Sequence, residues 1–115
     1  MKPVKALTGK IEDVHNLQLH ILLTEEDNVI VARCLDFSIS SHGENEMDAL
    51  DSLSDCIKEY LDHAIKKNAL NEVIDPEDKN YWGIYTKLML EGESLTIRES
   101  VHLLKAEKIK EVIYA

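Results

Sequence analysis

The side chains of this sequence that could shuttle a proton, attack an electrophile or hold a metal are five histidines, two cysteines and a large excess of acids. The histidines are His15, His20, His42, His63 and His102, and none stands at metal-ligand spacing from another histidine or a cysteine. Cys34 and Cys56 form no C-x-x-C pair, and each falls where a small apolar side chain packs, Cys34 in a strand and Cys56 beside a helical apolar stripe. A metal-dependent nuclease needs acids converging from strand and helix, and Asp36 alone stands at a strand end. Asp51, Asp55, Glu59 and Asp62 are the acids an exposed helix face carries. No phosphate-binding G-x-x-x-x-G-K-S/T, dinucleotide-binding G-x-G-x-x-G or nucleophile-elbow G-x-S-x-G is present, and the four glycines are scattered. The expectation is a non-catalytic protein with no catalytic, cofactor-binding or metal-binding residues and no cofactor. His42, beside Gly43 in a strand-to-helix turn, is where a functional histidine would be least surprising; a turn-structural role is the simpler expectation. His63 reads as a solvated side chain and His20 as lying on the more polar face of a strand.

The elements that carry these residues follow from hydrophobic period. Leu17, Leu19, Ile21 and Leu23 alternate with Gln18, His20, Leu22 and Thr24, the period of two of a strand with one buried face. Glu25-Glu26-Asp27-Asn28 is a polar turn in which Asn28 accepts a positive φ. The β-branched run Val29–Leu35 then closes a hairpin. Phe37, Ile39 and Ser41 alternate as a short third strand after a bend at Asp36. Met1–Asn16 is weakly periodic and reads as a lead-in or an edge strand near Val4–Leu7.

After His42-Gly43-Glu44 breaks the pattern, a long helix runs from Asn45 to about Lys67. Asn45 caps it and Asp48 follows three residues later in a capping-box arrangement. Leu50, Leu53, Ile57, Tyr60, Leu61 and Ala64 recur at spacings of three and four, with Asp51, Asp55, Lys58, Glu59, Asp62 and Lys66 opposite. Asn68 suits the C-terminal cap. Asp75-Pro76-Glu77-Asp78 signals a second helix over about 76–90, bearing Tyr81, Trp82 and Tyr85 and ended by Gly92. Those aromatics read as a stripe docked on the domain, with a partner anchor as the alternative. Leu95–Arg98 and Val101–Leu104 read as short strands. Lys108–Tyr114 leans to strand with helix left open.

At 115 residues the chain is long enough for one domain, residues 1–115, with a core drawn mostly from Leu, Ile and Val because aromatics make up 5%. Its formal charge of −9 argues against non-specific binding to nucleic acid or an anionic membrane; it favours solubility, the simpler expectation, and also fits a basic partner surface. No run approaches the roughly twenty apolar residues of a membrane helix, and no secretory signal is visible, so a cytoplasmic location with free cysteines is expected.

The segment Cys34-Leu35-Asp36-Phe37-Ser38-Ile39-Ser40-Ser41-His42-Gly43-Glu44, followed by Met47-Asp48-Ala49-Leu50, resembles the HicB-like antitoxin family. That family's pattern is a hairpin, a C-L-E-x-x-I-x-S-Q-G-like third strand and turn, then E-E-A-L opening a long helix. The likeness covers about residues 17–67, through Glu59-Tyr60-Leu61. His42 stands where glutamine is usual, and Asn28 where a hairpin glycine is common. The resemblance implies an α+β fold with a small antiparallel sheet, a β-β-β-α-β core of partial ribonuclease-H-like or double-stranded-RNA-binding-like type. It also implies a binding protein that blocks a small basic toxin ribonuclease and forms homo-oligomers. Many family members carry a C-terminal DNA-binding domain; residues 68–115, read as a C-terminal extension, show no such module.

Overall fold

The alternating apolar residues of Leu17–Glu26 form a strand, and its fate illustrates the whole architecture. The structure, a computed structural model, describes residues 1–11, 17–93, 102–105 and 111–114. The strands are β1 (Lys2–Ile11), β2 (Leu17–Glu26), β3 (Val29–Cys34), β4 (Ile39–Gly43), β5 (His102–Lys105) and β6 (Glu111–Tyr114). The helices are α1 (Glu46–Lys66) and α2 (Lys79–Glu93), with a short 3₁₀ turn at Leu70–Glu72 between them. All pairings are antiparallel and the sheet order is β4-β3-β2-β1-β6-β5. The chain is therefore α+β, with the long helix and shorter second helix expected from its periodicity.

In β2, Leu19, Ile21 and Leu23 are fully buried beneath α1, as their alternation requires. Its other face departs from expectation, because Leu22 and Thr24 are fully buried as well. α2 covers part of that face, so β2 is an interior strand packed on both sides, with Gln18 exposed and His20 half-buried on the second. The β2–β3 turn is also tighter than the four polar residues suggest. Glu26 pairs with Val29, leaving Asp27 (φ 50°) and Asn28 (φ 67°) as a two-residue loop. Two consecutive left-handed residues match the twist of the flanking strands, and Asp-Asn tolerates them.

β1 corrects the reading of the first sixteen residues. It is a ten-residue strand, and it lies inside the sheet between β2 and β6. Its buried positions Leu7, Gly9 and Ile11 do alternate, but Gly9 contributes no side chain to the pattern. The third strand is corrected too. Phe37 lies in the Leu35–Ser38 turn, where it is buried against the ring of Tyr60 (5.3 Å between centroids), and β4 starts at Ile39. The expected β-β-β-α-β core thus gains a strand before it and ends in a hairpin.

α1 behaves as its sequence dictates. The Asn45 side chain accepts the Asp48 N–H at 2.8 Å, and the last turn closes through Lys67 N–H to His63 O. Asn68 follows in the left-handed region at φ 55°, just past the Lys67 cap. Ala49, Leu50, Leu53, Ile57, Leu61 and Ala64 pack on the sheet. Burial of a large aliphatic side chain contributes about 1.5–3 kcal/mol before entropy costs. The approach of α1 to β4 depends on Gly43: a Cβ there would sit 2.5 Å from Ala49 N and from Asp48 Cβ.

α2 begins at Lys79, three residues later than the Pro76 signal implied, and continues through Gly92. The cause is tertiary. Asp75 N–H and Glu77 N–H donate to the carbonyls of Asp36 and Leu35 (2.8 Å each), which holds the segment extended against the β3–β4 turn. Asp78 then opens the helix, its carboxylate accepting Asn80 N–H at 2.9 Å. Beyond it, β6 pairs with β1 through Gly9↔Tyr114 to Ile11↔Val112, so the C-terminal extension completes the same sheet. Of the C-terminal strand expectations, β5 and β6 answer to Val101–Leu104 and Lys108–Tyr114; Leu95–Arg98, Val101 and Lys108–Lys110 lie outside the described residues. Among the described residues no helix is long and apolar enough to cross a membrane.

Candidate functional site

Two residues that the sequence left apart meet beneath α2. β2 carries His20 on its α2-facing side, and the hairpin returns the chain so that the β3–β4 turn sets Asp36 beside it. Asp36 Oδ1 accepts the His20 backbone N–H at 2.6 Å, and Oδ2 lies 2.9 Å from His20 Nδ1. Leu35 N–H donates to His20 O at 2.9 Å and fixes the spacing of the two segments. The Asp36 side chain is 13% exposed and that of His20 33%. Trp82 and Tyr85 of α2 lie against the imidazole, at 5.2 and 5.4 Å between centroids.

A carboxylate that holds an imidazole by Nδ1 is the arrangement that orients a general base. Here the pair lies where α2 meets the sheet. Tyr85 O–H donates to Leu7 O at 3.1 Å and lies 3.4 Å from Thr8 Oγ1, and burial raises its pKa above the ordinary phenol value. Arg33, also on this face, donates to Thr24 Oγ1 and Glu26 Oε2 at 2.9 Å each and lies 4.5 Å from the Tyr81 ring centroid. Arg33 above all, then Thr24, holds the Glu26 carboxyl below its usual pKa. Burial, then the charge of Asp36, pushes the Cys34 thiol up to about 12. Among the described residues, no group of three or more His, Cys, Asp or Glu side chains is placed to hold a metal ion.

A second place is open. α2 rests mainly on β1 and β2 and meets β3 through Tyr81 at Arg33, so the part of the same face that carries Val29, Val31, Ser40 and His42 lies to one side of it. There Glu26, Asp27, Val29, Val31, Ser40, Ser41 and His42 line a shallow groove of about 470 Å³. His42 and Ser40 are exposed, whereas Ser41 turns to the other face and hydrogen-bonds Ser52 of α1.

The third place is the outer side of α1, where Asp48, Asp51, Asp55, Glu59 and His63 are exposed. Asp62 departs from the expected solvated face and is half-buried, as is Cys56. The aromatic group splits by depth: Tyr85 is buried, while Tyr81 and Trp82 are half-buried on the sheet. His15 lies outside the described residues, and His102 stands on β5. Sequence reasoning missed Arg33 and the His20–Asp36 pair. The one available signal was polar residues interleaved on a strand whose second face also carries Leu22.

Comparison with protein-family models, curated proteins and solved structures found no match for this chain.

Proposed function

We propose that this chain is a non-catalytic binding module of HicB-like antitoxin type, which sequesters a small basic toxin ribonuclease and self-associates. The observation that carries the reading is the outer side of α1. Asp48, Asp51, Asp55 and Glu59 are exposed along one 21-residue helix in a chain of net charge −9. Such a rigid acidic edge attracts a basic protein surface and steers its approach. The resemblance over residues 17–67 supplies the identity of that basic partner as a toxin. Gly43 supports the resemblance physically, since the S-x-G turn lets the first turn of α1 settle on β4.

Co-expression with the small basic protein encoded beside it is the direct test. A stable complex, with rescue of toxin-induced growth arrest, is the expected result. Asp51→Lys combined with Asp55→Lys should weaken that complex and flatten its salt dependence. No co-purifying partner and no rescue would sink the toxin reading. A second reading, an orphan homo-oligomer with no toxin, is favoured by the open edge of β4.

A further inference from the structure

We propose that β4 is a self-pairing edge through which two copies of this chain join their sheets, antiparallel, about a two-fold axis at Ser41. The inference rests on the self-association part of the reading above and names its surface. Among the described residues β4 pairs with β3 alone, so the backbone groups on its other side form an open row. Proteins guard such edges with lysine, proline, inward charges or bulges. β4 has none of these. It reads Ile39-Ser40-Ser41-His42-Gly43, and its register with β3 runs without a shift from Ile30↔Gly43 to Cys34↔Ile39. In a chain that is 30% charged with net charge −9, this strand offers an equally acidic second copy no carboxylate to repel.

Symmetry then fixes the register. Alternate residues of a strand direct their N–H and C=O to the same side, so a two-fold antiparallel pair must centre on a residue facing itself. Overlap of all five residues of β4 puts Ser41 on the axis. Ser40 then faces His42 of the second copy, and the pair occurs twice. Both side chains stand on the open part of the face that α2 partly covers, His42 opposite Val31 and Ser40 opposite Arg33 of β3. Two shallow grooves thereby merge into one strip, four strands wide, lined by Val29, Val31, Ser40 and His42 from each copy. A five-residue strand pair buries less than the roughly 1,200–2,000 Å² of a standard interface. Interfaces below that size are of the weak, transient kind, and about micromolar is the concentration range to test.

The test is sedimentation of the full chain over about three decades of concentration around that range. The wild type should pass from monomer to dimer. Ser40→Glu with His42→Glu places like charges opposite each other in both cross-strand pairs and should weaken the dimer about tenfold or more. Ser40→Lys with His42→Glu places opposite charges there and should restore it. Asn71→Glu with Lys79→Gln, which adds the same net charge at exposed positions away from β4, should change the equilibrium by less than about twofold. Thermal melts confirm that the variants compared are folded. Hydrogen exchange of wild-type β4 amides, slowed at high concentration and released on dilution, reads the same surface without substitution. A chain that stays monomeric throughout overturns the self-association reading and this surface together. A dimer indifferent to the two β4 variants, or weakened equally by the remote pair, overturns the surface alone. Loss without restoration by the Lys/Glu pair overturns the register on Ser41.

Discussion

The two faces of the sheet are held by different physics. α1 lies on one face through an almost wholly apolar contact of Leu50, Leu53, Ile57 and Leu61 with Leu19, Ile21, Leu23, Ala32 and Cys34. α2 lies on the other through fewer buried apolar residues and a set of directional contacts. These are His20 with Asp36, Trp82 and Tyr85, Arg33 with Glu26 and Tyr81, and Tyr85 with the Leu7 carbonyl. Hydrophobic burial is non-directional and scales with area, so the α1 face tolerates changes that keep volume. Polar contacts at a half-dry joint are sensitive to geometry and to protonation. The lesson is that one sheet can present a rigid core on one side and a tunable joint on the other.

This contrast can be broken most forcefully from the α1 side. Leu53→Ala removes a fully buried side chain and should cost about 2–5 kcal/mol, read as a fall in the denaturation midpoint of the whole domain. Gly43→Ala should follow at about 1–3 kcal/mol, because the added Cβ overlaps the first turn of α1 and that turn must shift. Its signature is altered amide shifts from Glu46 to Leu50 with α2 undisturbed.

Asp36→Ala addresses the other face. It leaves His20 N–H and Nδ1 without their acceptor and should cost about 1–3 kcal/mol. Trp82 fluorescence reports the loosened joint, and a change confined to the global midpoint, with no prior change at Trp82, would contradict the separation of the faces.

The smallest effect concerns pH. The folded pKa of Glu26 is depressed, mainly by its hydrogen bond with Arg33. Its contribution is therefore complete above the unfolded carboxyl value and disappears as pH falls through the folded one. The stability difference between wild type and Glu26→Gln should shrink across that acid range. At these partly exposed side chains (12% for Arg33, 32% for Glu26) the difference is modest, and an unchanged difference down to full carboxylate protonation would refute the pairing.

Legibility in the sequence followed the same division. α1 was readable to within a residue at each end, because its cap, stripe and last turn involve residues three or four apart. The β2–β3 hairpin was readable for a similar reason, although its turn was assigned too many residues. β1 was not, since Gly9 silences one of its buried positions and its place inside the sheet depends on β6. The start of α2 was misplaced by three residues because Asp75 and Glu77 donate to a turn some forty positions earlier. The candidate site was the least legible part. His20 and Asp36 are separated by sixteen residues, and no spacing rule links a strand position to a turn across a hairpin.

By itself, the sequence determined the α+β class, the long capped helix, the hairpin and the acid excess. Those properties arise from side-chain period, local capping and charge count, which act over a few residues or need no geometry. Only the tertiary structure decided that β2 is covered on both faces, that His20 is held by Asp36 beside two aromatic rings, and that Val31, Ser40 and His42 are left on an open part of the α2 side. Each of these depends on which elements lie beside one another, and that is settled by competition for buried area across the whole chain.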